Sequence, residues 1–200
     1  MKPIFPTSYF GNIEFYKKLS SYDSVLVESY ETYPKQTFRN RCEITTANGL
    51  LPLSIPIEKP NGSKTRTNEI LLSSKEKWQL IHWRAIEAAY ASSPYFEYYE
   101  QEVKELIFQQ ELNLTQFNHN IIKRIQKWLD LPTQLIYTDK YNHIDSNLDF
   151  RNLFSKSINP REFQHDYYQQ VFEIENGFFQ NVSILDSIFC LGPMARLLVV

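Results

Sequence analysis

The sequence predicts an α/β protein: one domain with a central mixed sheet, flanking helices and a β-hairpin in its N-terminal half. Three observations carry this. A short helical pattern is followed by a β-branched apolar run, Asn48-Gly49 joins two β-prone segments, and three helical patterns succeed one another between Glu76 and Leu129. The 200 residues include 14 Phe, 13 Tyr and 3 Trp, enough for a substantial core in a chain of single-domain size.

In chain order, Gly11 to Ser21 reads as a short helix, with Ile13, Tyr16 and Leu19 at helical spacing. Ser24 to Ser29 reads as a strand covered on both faces, which gives a strand, helix, strand opening. Asn-Gly turns require residues that tolerate positive φ, so Asn48-Gly49 predicts a hairpin. In its second arm Leu51, Leu53, Ile55 and Ile57 share one face and Pro52 and Pro56 the other, as expected of an edge strand. Glu58 to Asn68 is a polar loop with a basic run, Lys64 and Arg66, and Glu69 to Ser73 a further strand.

Helices are expected over 76–90, 94–110 and 114–129. Ser93 before Pro94 suits an N-cap with a first-turn proline, Asn113 suits a second cap, and Asp130-Leu-Pro132 a stop. Leu114, Phe117, Ile121, Ile125 and Trp128 form one apolar stripe. Gln134 to Tyr137 and Gln170 to Glu173 read as strands, Asp139 to Arg161 as irregular, and Val182 to Phe189 as a helix broken by Cys190-Leu-Gly-Pro193.

Composition excludes several functions. The five glycines lie at least 13 positions apart, so no dinucleotide fingerprint or Walker loop can form, and any bound phosphate must be held by side chains. A net charge of −2 argues against binding a nucleic acid polymer. No stretch approaches the roughly 20 apolar residues of a membrane span, so no membrane insertion is expected. Two cysteines, Cys42 and Cys190, suit a reducing cytoplasm, and the four histidines lack metal-ligand spacing. No metal is expected, and the residues specify no cofactor.

Three groups could carry chemistry. Glu28, Ser29, Tyr30 and Glu31 end an apolar strand, where ligands of open α/β sheets bind, although most strands end in polar residues. Lys35, Arg39 and Arg41 concentrate positive charge. If 38–44 is extended, Arg39 and Arg41 share a face, and two guanidiniums suit a small anion. Ion pairs with Glu28, Glu31 and Glu43 would explain the same residues equally well. His82 lies on an apolar helical stripe with Trp78, Ala85, Ile86 and Ala89, more often the position of a hydrogen-bonded core imidazole than of a catalyst.

The ordered set Pro6-Thr-Ser-Tyr9-Phe10, Glu28, Tyr33-Pro-Lys35-Gln36, Phe38-Arg39-Asn40-Arg41-Cys42, Ala47-Asn-Gly49, Leu53-Ser-Ile-Pro-Ile57, His82-Trp-Arg-Ala-Ile-Glu87 and Tyr90-Ala-Ser-Ser-Pro-Tyr-Phe96 resembles the WbqC-like family. The branch common in Bacteroidetes also has counterparts of Asp149-Phe-Arg151, Tyr167 to Phe172, Gly177-Phe, Ser183 to Asp186 and Gly192-Pro193. The resemblance implies a role in cell-surface polysaccharide, O-antigen or glycolipid synthesis. On that basis the chain is expected to be a transferase-like enzyme acting on an activated anionic small substrate, such as a nucleotide-linked sugar or an acyl or aminoacyl donor. Lys35, Arg39 and Arg41 would hold the anion, Tyr9 and Asn40 would orient the substrate, and Glu28 or His82 would act as acid or base. The alternative is a non-catalytic accessory protein that recruits a biosynthetic-enzyme partner.

Overall fold

The computed structural model describes residues 2–35, 37–144, 146–153 and 165–200. The opening strand, helix, strand unit is β1 (Ile4–Pro6), α1 (Ile13–Ser20) and β2 (Ser24–Glu28), and the two strands pair in parallel, Leu26 beside Ile4. Asn12 caps α1, its side chain accepting from the Phe15 N–H, and Ile13, Phe15, Tyr16 and Leu19 bury the helix against the sheet. The third strand, β7 (Gln134–Tyr137), pairs with the other side of β2, again in parallel. Val25 and Val27 are thereby buried in the middle of a three-stranded sheet of order β1-β2-β7.

Among the described residues the antiparallel strand pairs form two separate small ladders beside the parallel sheet. β3 (Arg41–Thr46) and β4 (Gly49–Ser54) form the expected hairpin, and β5 (Ile57–Glu58) pairs with β6 (Leu71–Leu72). The turn differs from the expected one. Thr46 pairs with Gly49, Ala47 and Asn48 form the tip, and only Gly49 takes a positive φ, +93°. Hairpins reach the strand twist this way with a glycine just after the turn. Pro52 lies in β4, whose only pairing among the described residues is with β3. Leu53 and Ile55 enter the core, but Leu51 is exposed.

Helices α2 (Trp78–Tyr90), α3 (Phe96–Ile107) and α4 (Leu114–Trp128) follow. Asn113 caps α4, and its Leu114, Phe117, Ile121 and Ile125 are fully buried. Ser93 is not the cap of α3. Its hydroxyl donates back to the Tyr90 carbonyl (2.6 Å) and the helix begins at Phe96. Of the expected strand 170–173, Gln170 is bonded to Asp186 and the backbone turns into α5 (Glu173–Asn176). The irregular stretch from Asp139 holds a 3-10 turn at Ser146–Leu148, and its last part, 154–161, lies outside the described residues.

α6 (Ile184–Leu191), capped by Ser183, packs against α1, α3 and β3. It ends at Gly192 (φ +58°), where a Cβ would stand 2.5 Å from the Tyr95 ring. One apolar cluster, from Phe5 to Val199, draws on all these elements except α5.

Candidate functional site

Chain direction puts the carboxyl ends of all three parallel strands at one edge of the sheet. The chain leaving β7 passes this edge, and Asp149 then comes alongside β1, with the Phe150 N–H donating to the Ile4 carbonyl (2.9 Å). The polar residues after β2 therefore meet residues that follow β7.

Glu28 is wholly buried there. Its Oε1 accepts from the Tyr30 N–H (2.8 Å) and the Thr138 hydroxyl (3.1 Å), and its Oε2 lies 3.3 Å from Arg151 Nη1. Arg151 also donates through Nε and Nη2 to both oxygens of Asp149 and through Nη1 to the Asn142 carbonyl (3.1 Å). Those bonds hold the Asp149 carboxyl below its ordinary range. Arg39 is buried beside this group, 2.7 Å from Glu31 Oε1 through both Nε and Nη2 and 3.1 Å from the Arg151 carbonyl. Burial raises the proton affinity of Glu31, and Arg39 partly opposes it.

Above this floor opens a cleft of about 580 Å³, lined by Tyr30, Glu31, Thr32, Pro34, Arg66, Tyr141, Asp149, Arg151 and Asn152. Two arginines flank aromatic rings in it: Arg66 lies 5.6 Å from the Tyr30 ring and Arg151 4.8 Å from the Tyr141 ring. The two arginines differ in occupation. Arg151 is spent on Glu28, Asp149 and Asn142, whereas the exposed Arg66 guanidinium makes no ion pair among the described residues. Backbone bonds fix Arg66 beside the cleft: the Tyr33 N–H donates to the Thr65 carbonyl and the Thr67 N–H to the Glu31 carbonyl.

The structure gathers Glu28 and Arg39 at this floor and sends the other sequence-predicted residues elsewhere. Tyr9 and His82 form a buried pair (2.9 Å) among Trp78 and Phe117. Burial pushes His82 down to about 4, partly opposed by a hydrogen bond to the Ser54 backbone, and pushes the Tyr9 phenol up. Asn40 is spent on the Tyr33 hydroxyl and the Ile55 carbonyl, both at 2.8 Å. Arg41 pairs with Glu43 (2.8 Å) on the hairpin. The expected pair of neighbouring guanidiniums does not form, because the strand begins at Arg41 and the chain at Arg39 is still turning. Lys35 is exposed, next to the cleft residue Pro34.

The first turn of α1 offers no anion site. The N–H groups of Ile13, Glu14 and Phe15 donate to the Val182 carbonyl, Asn181 Oδ1 and Asn12 Oδ1. Among the described residues no group of three or more His, Cys, Asp or Glu is arranged to hold a metal.

Sequence reasoning named Asp149 and Arg151, in a polar stretch without periodicity, only within the family resemblance and gave them no role, and it treated Arg66 only as part of a basic loop. Acid and arginine two residues apart, Asp149 and Arg151, were the available signal. It also missed Asp186, whose fully buried carboxylate accepts from Thr45 (2.6 Å), Tyr90 (2.9 Å), Tyr168 (2.7 Å) and Gln170 (3.0 Å). Burial raises its proton affinity, and those hydrogen bonds pull it back.

Fold and site together define an α/β protein with an open, charge-lined cleft at the carboxyl edge of a small parallel sheet. No described helix is long and apolar enough to cross a membrane. The description "WbqC-like protein family" matches residues 7–159, and the chain belongs to that family. It is 26% identical over 213 residues to a Mycobacterium tuberculosis protein, "Uncharacterized protein Rv1507c", covering 94% of this chain and 89% of that one. No solved structure matches significantly.

Proposed function

We propose that the protein is a transferase-like enzyme of cell-surface polysaccharide or glycolipid synthesis that binds an anionic small substrate in the carboxyl-edge cleft. One observation carries this reading: Arg66, a guanidinium that makes no ion pair among the described residues, stands over an aromatic ring in the same cleft as Glu31, a carboxyl whose proton affinity burial raises. Arg66, with the exposed Lys35 next to the lining residue Pro34, takes the anion-holding role first given to Arg39 and Arg41, which are committed to Glu31 and Glu43. Glu31 is the acid or base within reach of a bound molecule. Glu28 and Arg39 hold the floor, and His82 and Tyr9 support the core. The free buried thiols of Cys42 and Cys190 support a cytoplasmic setting.

The supporting test is a thermal-shift screen against nucleotides, nucleotide sugars, acyl-coenzyme A and sugar phosphates. A ligand at about 100 times its dissociation constant adds about 2.7 kcal/mol. A hit that Arg66→Ala abolishes is expected. Silence across the panel favours the accessory reading, for which the exposed Tyr98, Tyr167 and Ile174 would be the docking groups.

A further inference from the structure

The charges around the cleft are unequal on its two sides. Three carboxylates converge on the floor and wall (Glu28, Glu31 and Asp149) against two guanidiniums committed to them, Arg39 and Arg151. Counted without the exposed Arg66, that leaves one negative charge in excess at the floor and wall. The oxygens are not equally occupied. Both oxygens of Glu28 and both of Asp149 accept from described donors, and so does Glu31 Oε1, which the Arg39 and Thr67 side chains share. Glu31 Oε2 accepts from none of the described residues, although the side chain keeps 11% of its surface accessible in the cleft wall. The exposed Arg66, which makes no ion pair among the described residues, lines the cleft and is bridged to Thr32, the neighbour of Glu31, and the exposed Lys35 follows the lining residue Pro34.

We propose that the molecule bound here is a zwitterion, with an amine directed to Glu31 Oε2 and an anionic group, phosphate or carboxylate, held by Arg66. This rests on the cleft being the substrate site and adds a requirement that an anion alone does not meet. A hydroxyl could donate to the same oxygen, but it would leave the excess charge unneutralised, whereas an ammonium neutralises it and forms the stronger, charge-assisted bond. The source of the zwitterion, an amino sugar phosphate or an amino acid derivative, is separated by the test.

Binding to the full chain is measured by calorimetry at pH 7 with two matched pairs, each differing only in an amine for a hydroxyl: glucosamine 6-phosphate with glucose 6-phosphate, and O-phosphoserine with 3-phosphoglycerate. The amine member of one pair should bind about 10-fold tighter or more, and the pair showing this identifies the source. Glu31→Gln should erase the preference while Arg66→Ala weakens both members. Equal or tighter binding of the hydroxyl member in both pairs overturns the amine requirement and leaves the anion site standing. A preference that survives Glu31→Gln removes the assignment to Glu31. If no member binds at millimolar concentration, the substrate-site reading itself falls. The wild-type comparison decides the matter even if Glu31→Gln, which unpairs Arg39, folds poorly.

Discussion

Two buried acidic centres in this protein are satisfied in opposite ways. Asp186 is surrounded by neutral donors, from β3, α2 and the segment before α5, and each of its bonds is direct. At the sheet edge, Glu28 and Glu31 are instead met by arginines that reach in from other parts of the chain. Four neutral donors around one carboxylate close a node that has nothing left to offer a ligand. Arginines distribute their donors over several acceptors, and here that leaves one carboxylate oxygen and one guanidinium open to a cleft. The first arrangement suits holding elements together, the second suits binding.

Breaking the node should cost most. Asp186→Ala strands Thr45, Tyr90, Tyr168 and Gln170 side chains without their acceptor, and we expect a loss of about 4 kcal/mol in urea unfolding. Arg151→Ala removes the charge partner of the fully buried Glu28 and should cost about 3 kcal/mol, with faster amide exchange over 138–153.

Acid should weaken the fold through its buried imidazoles. Burial pushes His82 and His165 down to about 4, below the ordinary 6.5, so their contribution is complete above 6.5 and is lost as the pH falls toward 4. His82 should withdraw about 2 kcal/mol between pH 7 and pH 5, and His165, which has Glu14 3.8 Å from its ring, less. Unfolding curves at the two pH values should show His82→Gln with the smaller drop; an unchanged drop would mean that His82 titrates normally. Arg66→Ala is expected to change stability least, by about 0.5 kcal/mol or less, since the side chain is exposed and makes no ion pair among the described residues.

The legible parts of this protein were those governed by local pattern. Asn113 and the Leu114 to Ile125 stripe announced α4, and the β-branched run ending in Glu28 announced both a strand and the edge where the cleft lies. Alternation failed at Arg39 and Arg41 because it assumes an extended chain, and the chain turns until Arg41. Arg151 was illegible for a different reason. Its partner Glu28 is 123 residues away, and the two meet only because the chain crosses from β7 to the far side of β1. Asp186 looked like an N-terminal helix residue, which it is, but its donors come from Thr45, Tyr90, Tyr168 and Gln170, whose convergence only the fold reveals.

The central claim is that ligand recognition belongs to the open cleft and not to the basic hairpin segment. Arg66→Ala and Arg41→Ala each remove one cation, the first at the cleft, the second at the hairpin ion pair with Glu43. Titrating both variants with the best ligand of the phosphate panel compares the two places directly. Loss of binding in Arg66→Ala with retention in Arg41→Ala is the predicted result, and the reverse pattern would contradict it.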